Sequence, residues 1–174
     1  MPLTKIQSLG ITDGTIVNAD INASAAIAGT KLSGAGKVLQ AITATDSTSR
    51  STTSTSYVTG SNTLSVTITP SSASNKIFIQ VSSSGYRNTS NSAYYTIFRG
   101  ATNLASSSGK LTFFNVNDKY MPISMSFLDS PSTTSATTYQ VYFKMAGASP
   151  EVYLNPSDNG EPITATITAF EIAA

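Results

Sequence analysis

The chain has 174 residues, a formal net charge of +1 and only 11% charged residues. It has no cysteine and no histidine, which excludes disulfides, thiolate metal sites and every catalytic arrangement that needs an imidazole. Its lysines and arginines are scattered singly, so we expect no basic surface for nucleic acid.

The first predicted element is a ladder of large aliphatic residues in residues 1–37. It consists of Ile11, Ile16, Ile21, Ile27 and Leu32, spaced five or six residues apart. This spacing fits neither a helix nor a strand, and so few residues cannot form a stacked solenoid. Several identical chains running in parallel could bury them at a common axis. The pattern therefore predicts an extended, intertwined stalk of more than one chain, without fixing their number.

From residue 38 onward the spacing changes to the alternation of β-strands. Nine runs are predicted as strands, at 38–45, 63–69, 76–83, 93–99, 110–116, 121–129, 138–146, 151–155 and 163–172. Segments rich in turn-forming residues separate them, and no stripe with helical spacing is present. This pattern predicts an all-β fold in which residues 38–174 form an antiparallel, jelly-roll-like β-sandwich head.

The stretch "ITDGTIVNADINASAAIAGTKLSGAGKVLQ" resembles modules of tail-fibre and other virion-fibre proteins of marine and cyanobacterial bacteriophages. The stretches "YVTGSNTLSVTITPSSASNKIFIQVSSS", "YTIFRGATNLASSS" and "PITATITAFEI" are similar to the β-rich heads of those proteins, so the resemblance covers nearly the whole chain. It implies a homotrimer on the virion, made in the cytoplasm of the host bacterium. Residues 1–37 would attach it to another virion protein of the tail, neck or capsid. A single stalk module implies a very short fibre.

Such a head would bind a glycan or protein of the host surface, so loops that combine aromatic, amide and charged side chains are candidates. Three loops fit this description: "GYRNTSN", "NVNDKY" and "YLNPSDNGE". The candidate receptor-contact residues are Tyr86, Arg87, Asn88, Asp118, Lys119, Tyr120, Asn155 and Asp158. The same residue types commonly shape turns and cover the edge of a core. The receptor interpretation therefore requires at least two of these loops to meet.

Two pairs of adjacent aromatic residues lie within predicted strands, Tyr94 with Tyr95 and Phe113 with Phe114. Neighbouring residues of a strand point to opposite faces of the sheet. We therefore expect one ring of each pair in the core and the other on the outer surface, where it would favour packing between subunits.

Three functions compete at this point. The first is a fibre whose head binds the host, and the alternative is a structural decoration or connector protein without a receptor. The third, an enzyme that degrades glycans, is disfavoured by the missing histidine and the small head, so we expect no enzymatic activity. No carboxylate pair stands out, and Asp13, Asn18 and Asp20 do not match a calcium loop, so no metal or cofactor is predicted. No apolar run approaches the ~20 residues of a membrane span, so no membrane insertion is predicted.

Overall fold

The computed structural model describes residues 36–87, 91–105, 109–115, 119–147, 151–157, 160–161 and 163–174. Outside these residues lie all five predicted stalk residues and three candidate loop residues: Ile11, Ile16, Ile21, Ile27, Leu32, Asn88, Asp118 and Asp158. The stalk and the division of the chain at residue 37 therefore stay predictions.

Every regular element in the described ranges is a β-strand, so the all-β prediction is confirmed. The strands found there are β1 (Val38–Asp46), β2 (Arg50–Thr52), β3 (Ser65–Ile68), β4 (Lys76–Arg87), β5 (Ala93–Arg99), β6 (Thr102–Asn103), β7 (Thr112–Phe114), β8 (Lys119–Asp129), β9 (Thr137–Met145), β10 (Val152–Leu154) and β11 (Ala165–Ile172). Each of the nine runs predicted from alternation overlaps one of these strands. The short strands β2 and β6 are additional.

The larger sheet has six strands and is built around β4. Strand β8 pairs with β4 along one side, while β11 and then β10 pair with successive parts of its other side. Strand β1 pairs with β11, and β2 pairs with β10. All these pairings are antiparallel. Across the sheet, four positions follow one another: β8, then β4, then β11 and β10 end to end, then β1 and β2 end to end. We call these positions columns.

The smaller sheet has five strands and is also antiparallel. Its centre is the pair of β5 and β9. Strand β3 pairs with the free side of β9, and the short strands β6 and β7 pair with different parts of β5. The two sheets are thus connected by a chain that leaves and returns to each of them several times.

Alternating residues from both sheets form one hydrophobic core. In β3 and the residue before it, Leu64, Val66 and Ile68 are buried, as their spacing predicts. The inward face of β11 is likewise buried, from Ala165 through Glu171. The arrangement resembles a β-sandwich, whereas the jelly-roll order and the trimer stay predictions.

A turn interrupts what would otherwise be one long strand formed by β1 and β2. Asp46 ends β1, and its side chain is buried. Its carboxylate accepts hydrogen bonds from the backbone N–H of Thr48 and of Thr63, both at 2.8 Å, and lies 3.6 Å from Arg50 Nε. A short acidic side chain that accepts a backbone N–H two residues later favours a turn. The Asp46 carboxylate therefore stabilises the turn between β1, which pairs with β11, and β2, which pairs with β10.

Candidate functional site

The three loops predicted to contact a receptor are attached to strands that meet at one end of the larger sheet. At this end β4 finishes, β8 begins and β10 lies beside β4. In the register of the sheet, Tyr86 lies opposite Tyr120 of β8 on one side and opposite Tyr153 of β10 on the other. The strand ends that carry the three loops are therefore neighbours, and the meeting of the loops themselves stays a prediction.

Tyr86, Tyr120 and Tyr153 form a row of rings that we name the tyrosine surface. The ring centroid of Tyr86 lies 5.0 Å from that of Tyr120 and 5.6 Å from that of Tyr153. Tyr120 is 50% exposed, and the other two rings are partly exposed. Alternation places all three on the outer face, because their neighbours in β4 and β10 point into the core. Exposed, mutually supported tyrosines suit recognition, since each offers an apolar body and a polar tip.

A carboxylate lies at the edge of this row. The hydroxyl of Tyr153 donates to Glu151 Oε2 at 2.5 Å, and Ser51 Oγ donates to Glu151 Oε1 at 3.3 Å. The hydrogen bond to Glu151, together with burial, raises the pKa of Tyr153 to about 12. The Tyr153 hydroxyl therefore stays protonated at physiological pH and orients the carboxylate. Among the described residues, the hydrogen-bond donor to the second oxygen of Glu151 is the hydroxyl of the exposed Ser51.

Two of the predicted contact residues are placed where a receptor cannot reach them. Arg87 is fully buried, because it continues the inward face of β4, and Asn155 is buried as well. Lys119, opposite Arg87 in the register, is exposed, but alternation directs it to the other face of the sheet from Tyr120. Of the described candidates, the structure thus brings only Tyr86 and Tyr120 together on one face.

Asn155 instead connects two columns of the sheet just after β10. Its backbone is left-handed, with φ of 54°. Its Nδ2 donates to the carbonyl oxygen of Asp46 at 2.8 Å, and its backbone N–H donates to the carbonyl oxygen of Ser84 at 2.7 Å. Asparagine tolerates this conformation better than most residues do. Asn155 therefore fixes the chain that leaves the tyrosine surface.

We expect Asn155→Ala to lower the free energy of unfolding by about 1–2 kcal/mol, because it loses a buried hydrogen bond and keeps the unfavourable φ. Asn155→Gly loses the same hydrogen bond but accepts the φ, so its loss should be smaller. Urea unfolding of both variants at one chain concentration measures the difference. Equal losses would contradict a conformational role for Asn155.

A second set of aromatic rings lies on the outer face of the smaller sheet, and we name it the lysine–aromatic surface. It consists of Tyr57, Tyr94, Lys110, Phe113 and Lys144. As predicted from the adjacent pairs, their neighbours Tyr95 and Phe114 are buried, while Phe113 is 54% exposed. The Nζ of Lys144 lies 4.8 Å from the ring centroid of Tyr57, and the Nζ of Lys110 lies 4.8 Å from that of Tyr94. Ammonium groups already cover these ring faces, so this surface is the less suitable one for stacking a sugar.

The sequence interpretation missed Tyr153, Glu151 and Ser51. Tyr153 lies in the quoted stretch "YLNPSDNGE", and the alternation of "EVYLN" carries a usable signal. With Val152 and Leu154 in the core, Tyr153 must point outward. No comparable signal exists for Ser51, whose position depends on the pairing of β2 with β10.

A scan against protein-family models gives no match for this chain, and a search of curated proteins gives none either. Among the described residues there is no group of three or more acidic side chains that could hold a metal ion. The same residues contain no helix long and apolar enough to span a membrane.

Proposed function

We propose that the chain is a fibre protein of a bacteriophage virion that binds a glycan on the host surface through the tyrosine surface. In this proposal residues 1–37 form the stalk of a homotrimer and attach it to the particle, and residues 38–174 form a sandwich head. The observation that supports the receptor part is the row of tyrosines at neighbouring ends of β4, β8 and β10, the strands to which the three predicted loops are attached. The resemblance of the sequence to phage fibres supports the other parts of the proposal, namely the stalk, the homotrimer and the attachment to the virion.

The chemistry of the tyrosine surface suits a neutral or weakly charged sugar. The apolar face of a sugar ring would stack on Tyr86 or Tyr120, while its hydroxyl groups would bond to the tyrosine hydroxyls and to Glu151. Contacts of this kind are weak singly, but several heads per particle multiply them, and avidity can exceed single-site affinity by about 10² to 10⁴. A surface with few charges limits nonspecific attraction to other molecules.

The proposal is tested with an array of bacterial surface glycans and the full-length protein. We expect Tyr86→Ala and Tyr120→Ala to weaken binding to the recognised glycans by about 10- to 100-fold, because each removes a stacking ring at the centre of the site. The matched control is Tyr142→Ala, which removes a partly exposed tyrosine from the outer face of the smaller sheet. Thermal melts verify that all three variants fold.

Equal binding by all variants would contradict the tyrosine surface as the receptor site. If the wild-type protein binds none of the glycans and yet assembles onto particles, the decoration or connector function replaces the proposed one. If Tyr142→Ala alone weakens binding, the smaller sheet carries the receptor site.

A further inference from the structure

A second exposed surface lies at the opposite end of the same outer face. It consists of Val38, Leu39, Phe78, Leu128 and Phe170, and we name it the apolar band. Leu128, Phe78 and Phe170 occupy one row across β8, β4 and β11, with Leu128 opposite Phe78 and Phe78 opposite Phe170. The rings of Phe78 and Phe170 lie 6.2 Å apart. Leu128 is 56% exposed, Val38 53% and Leu39 41%.

The band differs sharply from the middle of the face. The two rows that follow it across β8, β4, β11 and β1 contain only hydroxyl and amide side chains: Ser126, Gln80, Thr168 and Thr43, then Ser124, Ser82, Thr166 and Thr45. The last row of this face contains Lys76, opposite Ile172, together with Val38. The outer face is thus mainly apolar at one end, polar in the middle and aromatic at the other end. An apolar cluster next to a polar surface is typical of a contact between proteins.

The position of the band indicates what covers it. Gly36 is the first described residue, and its N–H donates to the carbonyl oxygen of Ala173 at 2.8 Å, next to the end of β11. Residues 1–35 therefore join the head directly beside Val38 and Leu39. If those residues bring identical chains together, as the proposed stalk does, the bands of the copies are the head surfaces nearest to the point of joining.

Strand β8 supplies a second reason for a partner of the same kind. Among the described strands, β8 hydrogen-bonds only to β4, so its other side is an open edge of 11 residues. Pro122 removes one donor from that strand, a common protection against uncontrolled pairing. Leu128, the most exposed residue of the band, lies on this edge. A neighbouring subunit that covers the band would also cover the end of this edge at Leu128, and would leave the edge around Ser124 exposed.

We infer that the apolar band packs against a second copy of this chain and that it forms the contact between heads. The inference rests on the homo-oligomer of the proposed function and names the surface that joins its heads. It leaves the tyrosine surface, at the far end of the face, accessible to a host glycan.

Thiol labelling of the full-length protein tests the inference, because the chain has no cysteine of its own. The variants are Leu128→Cys in the band and Ser124→Cys, which lies in the same strand and on the same face. Light scattering first gives the mass of each variant in solution. We expect a maleimide to label Leu128→Cys about tenfold more slowly than Ser124→Cys in the oligomer, and equally fast after dilution to monomers.

A double variant, Phe78→Ser with Leu128→Ser, tests the energetics. We expect the concentration at which the oligomer dissociates to rise about tenfold or more for each side chain removed from the contact. Gln80→Ser with Ser126→Ala, in the adjacent polar row, is the matched control and should leave that concentration unchanged.

The outcomes distinguish a failure of the inference from a failure of the proposed function. An oligomer in which both cysteines react equally fast would overturn the inference and leave the fibre proposal intact. Protection of Leu128→Cys that persists in the monomer would mean that the chain covers its own band, which also overturns it. A wild-type protein that is monomeric at micromolar concentration would overturn both the inference and the homotrimer. Loss of glycan binding alone would leave the inference standing.

Discussion

Gly85→Ala should lower the free energy of unfolding by about 3 kcal/mol, at the upper end of what overpacking a core costs. Gly85 lies on the inward face of β4, directly before Tyr86. A Cβ atom there would lie 2.6 Å from Tyr95 Oη, 2.7 Å from Phe114 Cε1 and 2.9 Å from Ile123 Cδ1. Contacts this short require the neighbours to move.

The neighbours of Gly85 differ in how easily they can move. Ile123 Cδ1 is the end of a flexible side chain. Tyr95, in contrast, is fully buried, stacks between Phe114 and Phe143, and donates its hydroxyl to the carbonyl oxygen of Tyr153 at 2.7 Å. Relieving the clash therefore means displacing an aromatic stack or the backbone of β10. Either movement also shifts Tyr153, so the tyrosine surface should change together with stability.

Urea unfolding at one chain concentration measures the effect, because the unfolding of an oligomer depends on concentration. Ser82→Ala, an exposed position of the same strand, is the control and should change the free energy by less than about 0.5 kcal/mol. In a Tyr95→Phe background, which removes the nearest atom, Gly85→Ala should be less harmful. The packing explanation is wrong if Gly85→Ala costs the same in both backgrounds.

The strands could be predicted from the sequence because their alternation reflects burial on one side of a sheet. Ala93–Arg99 has the predicted bounds, and the remaining predicted runs differ from the strands by a few residues at one or both ends. Strand β2 could not be found in this way. It lies in the serine- and threonine-rich stretch "SRSTTSTS", has no buried large side chain, and is defined by its pairing with β10.

The receptor site stays a prediction, but the reason why Arg87 is buried, against expectation, can be traced in the sequence. The third predicted run, which corresponds to β4, ends at residue 83, so the sequence predicts "GYR" as a turn. The strand in fact continues to Arg87, and its alternation from Ile77 onward then puts Gly85 and Arg87 in the core and Tyr86 outside. The glycine that suggested a turn is required by the packing of Tyr95. The order of strands in the sheet determines which loops are neighbours. This order cannot be read from the pattern of residues within any one strand.

Three described carboxylates of the head are buried: Asp46, Asp129 and Glu171. Asp46 and Asp129 each lie within 4 Å of an arginine, Arg50 and Arg99 respectively. Neither ion pair involves Glu171, whose hydrogen-bond donors are neutral. Its carboxylate therefore shows how this sparsely charged chain stabilises a buried charge through serine and amide groups.

The contacts of Glu171 join the last strand to the connection between β3 and β4. Glu171 Oε1 accepts hydrogen bonds from Ser71 N–H at 2.6 Å, Ser71 Oγ at 2.8 Å and Asn75 Nδ2 at 2.6 Å. Glu171 Oε2 accepts one from Gln40 Nε2 of β1 at 2.6 Å. Burial would raise the pKa of Glu171, but the hydrogen bonds from Asn75, Gln40 and Ser71 outweigh it and lower the pKa from 4.5 to about 2.

The sign of the pH dependence follows from this lowered pKa. Between about pH 4.5 and pH 2 the unfolded chain binds a proton at Glu171 that the folded chain does not, so acid favours unfolding. The charged carboxylate contributes roughly 3 kcal/mol above pH 5, and this contribution is lost as the pH falls through that range. Glu171→Gln cannot carry the charge. The NH2 group of the introduced glutamine would also face Nε2 of Gln40, which is itself a donor. We therefore expect it to be less stable than the wild type by roughly 3 kcal/mol at pH 6.

The decisive measurement is the difference in unfolding free energy between wild type and Glu171→Gln as the pH is lowered from 6 to 2.5 at constant chain concentration. The difference should shrink steadily, because the protonated wild-type side chain comes to resemble glutamine. Subtracting the variant also removes the pH dependence of Asp46, whose pKa is lowered as well. Glu161→Gln, an exposed position, should follow the wild type at every pH. A difference that stays constant over this range would mean that the shape of Glu171, and not its charge, holds β11 to the connection between β3 and β4.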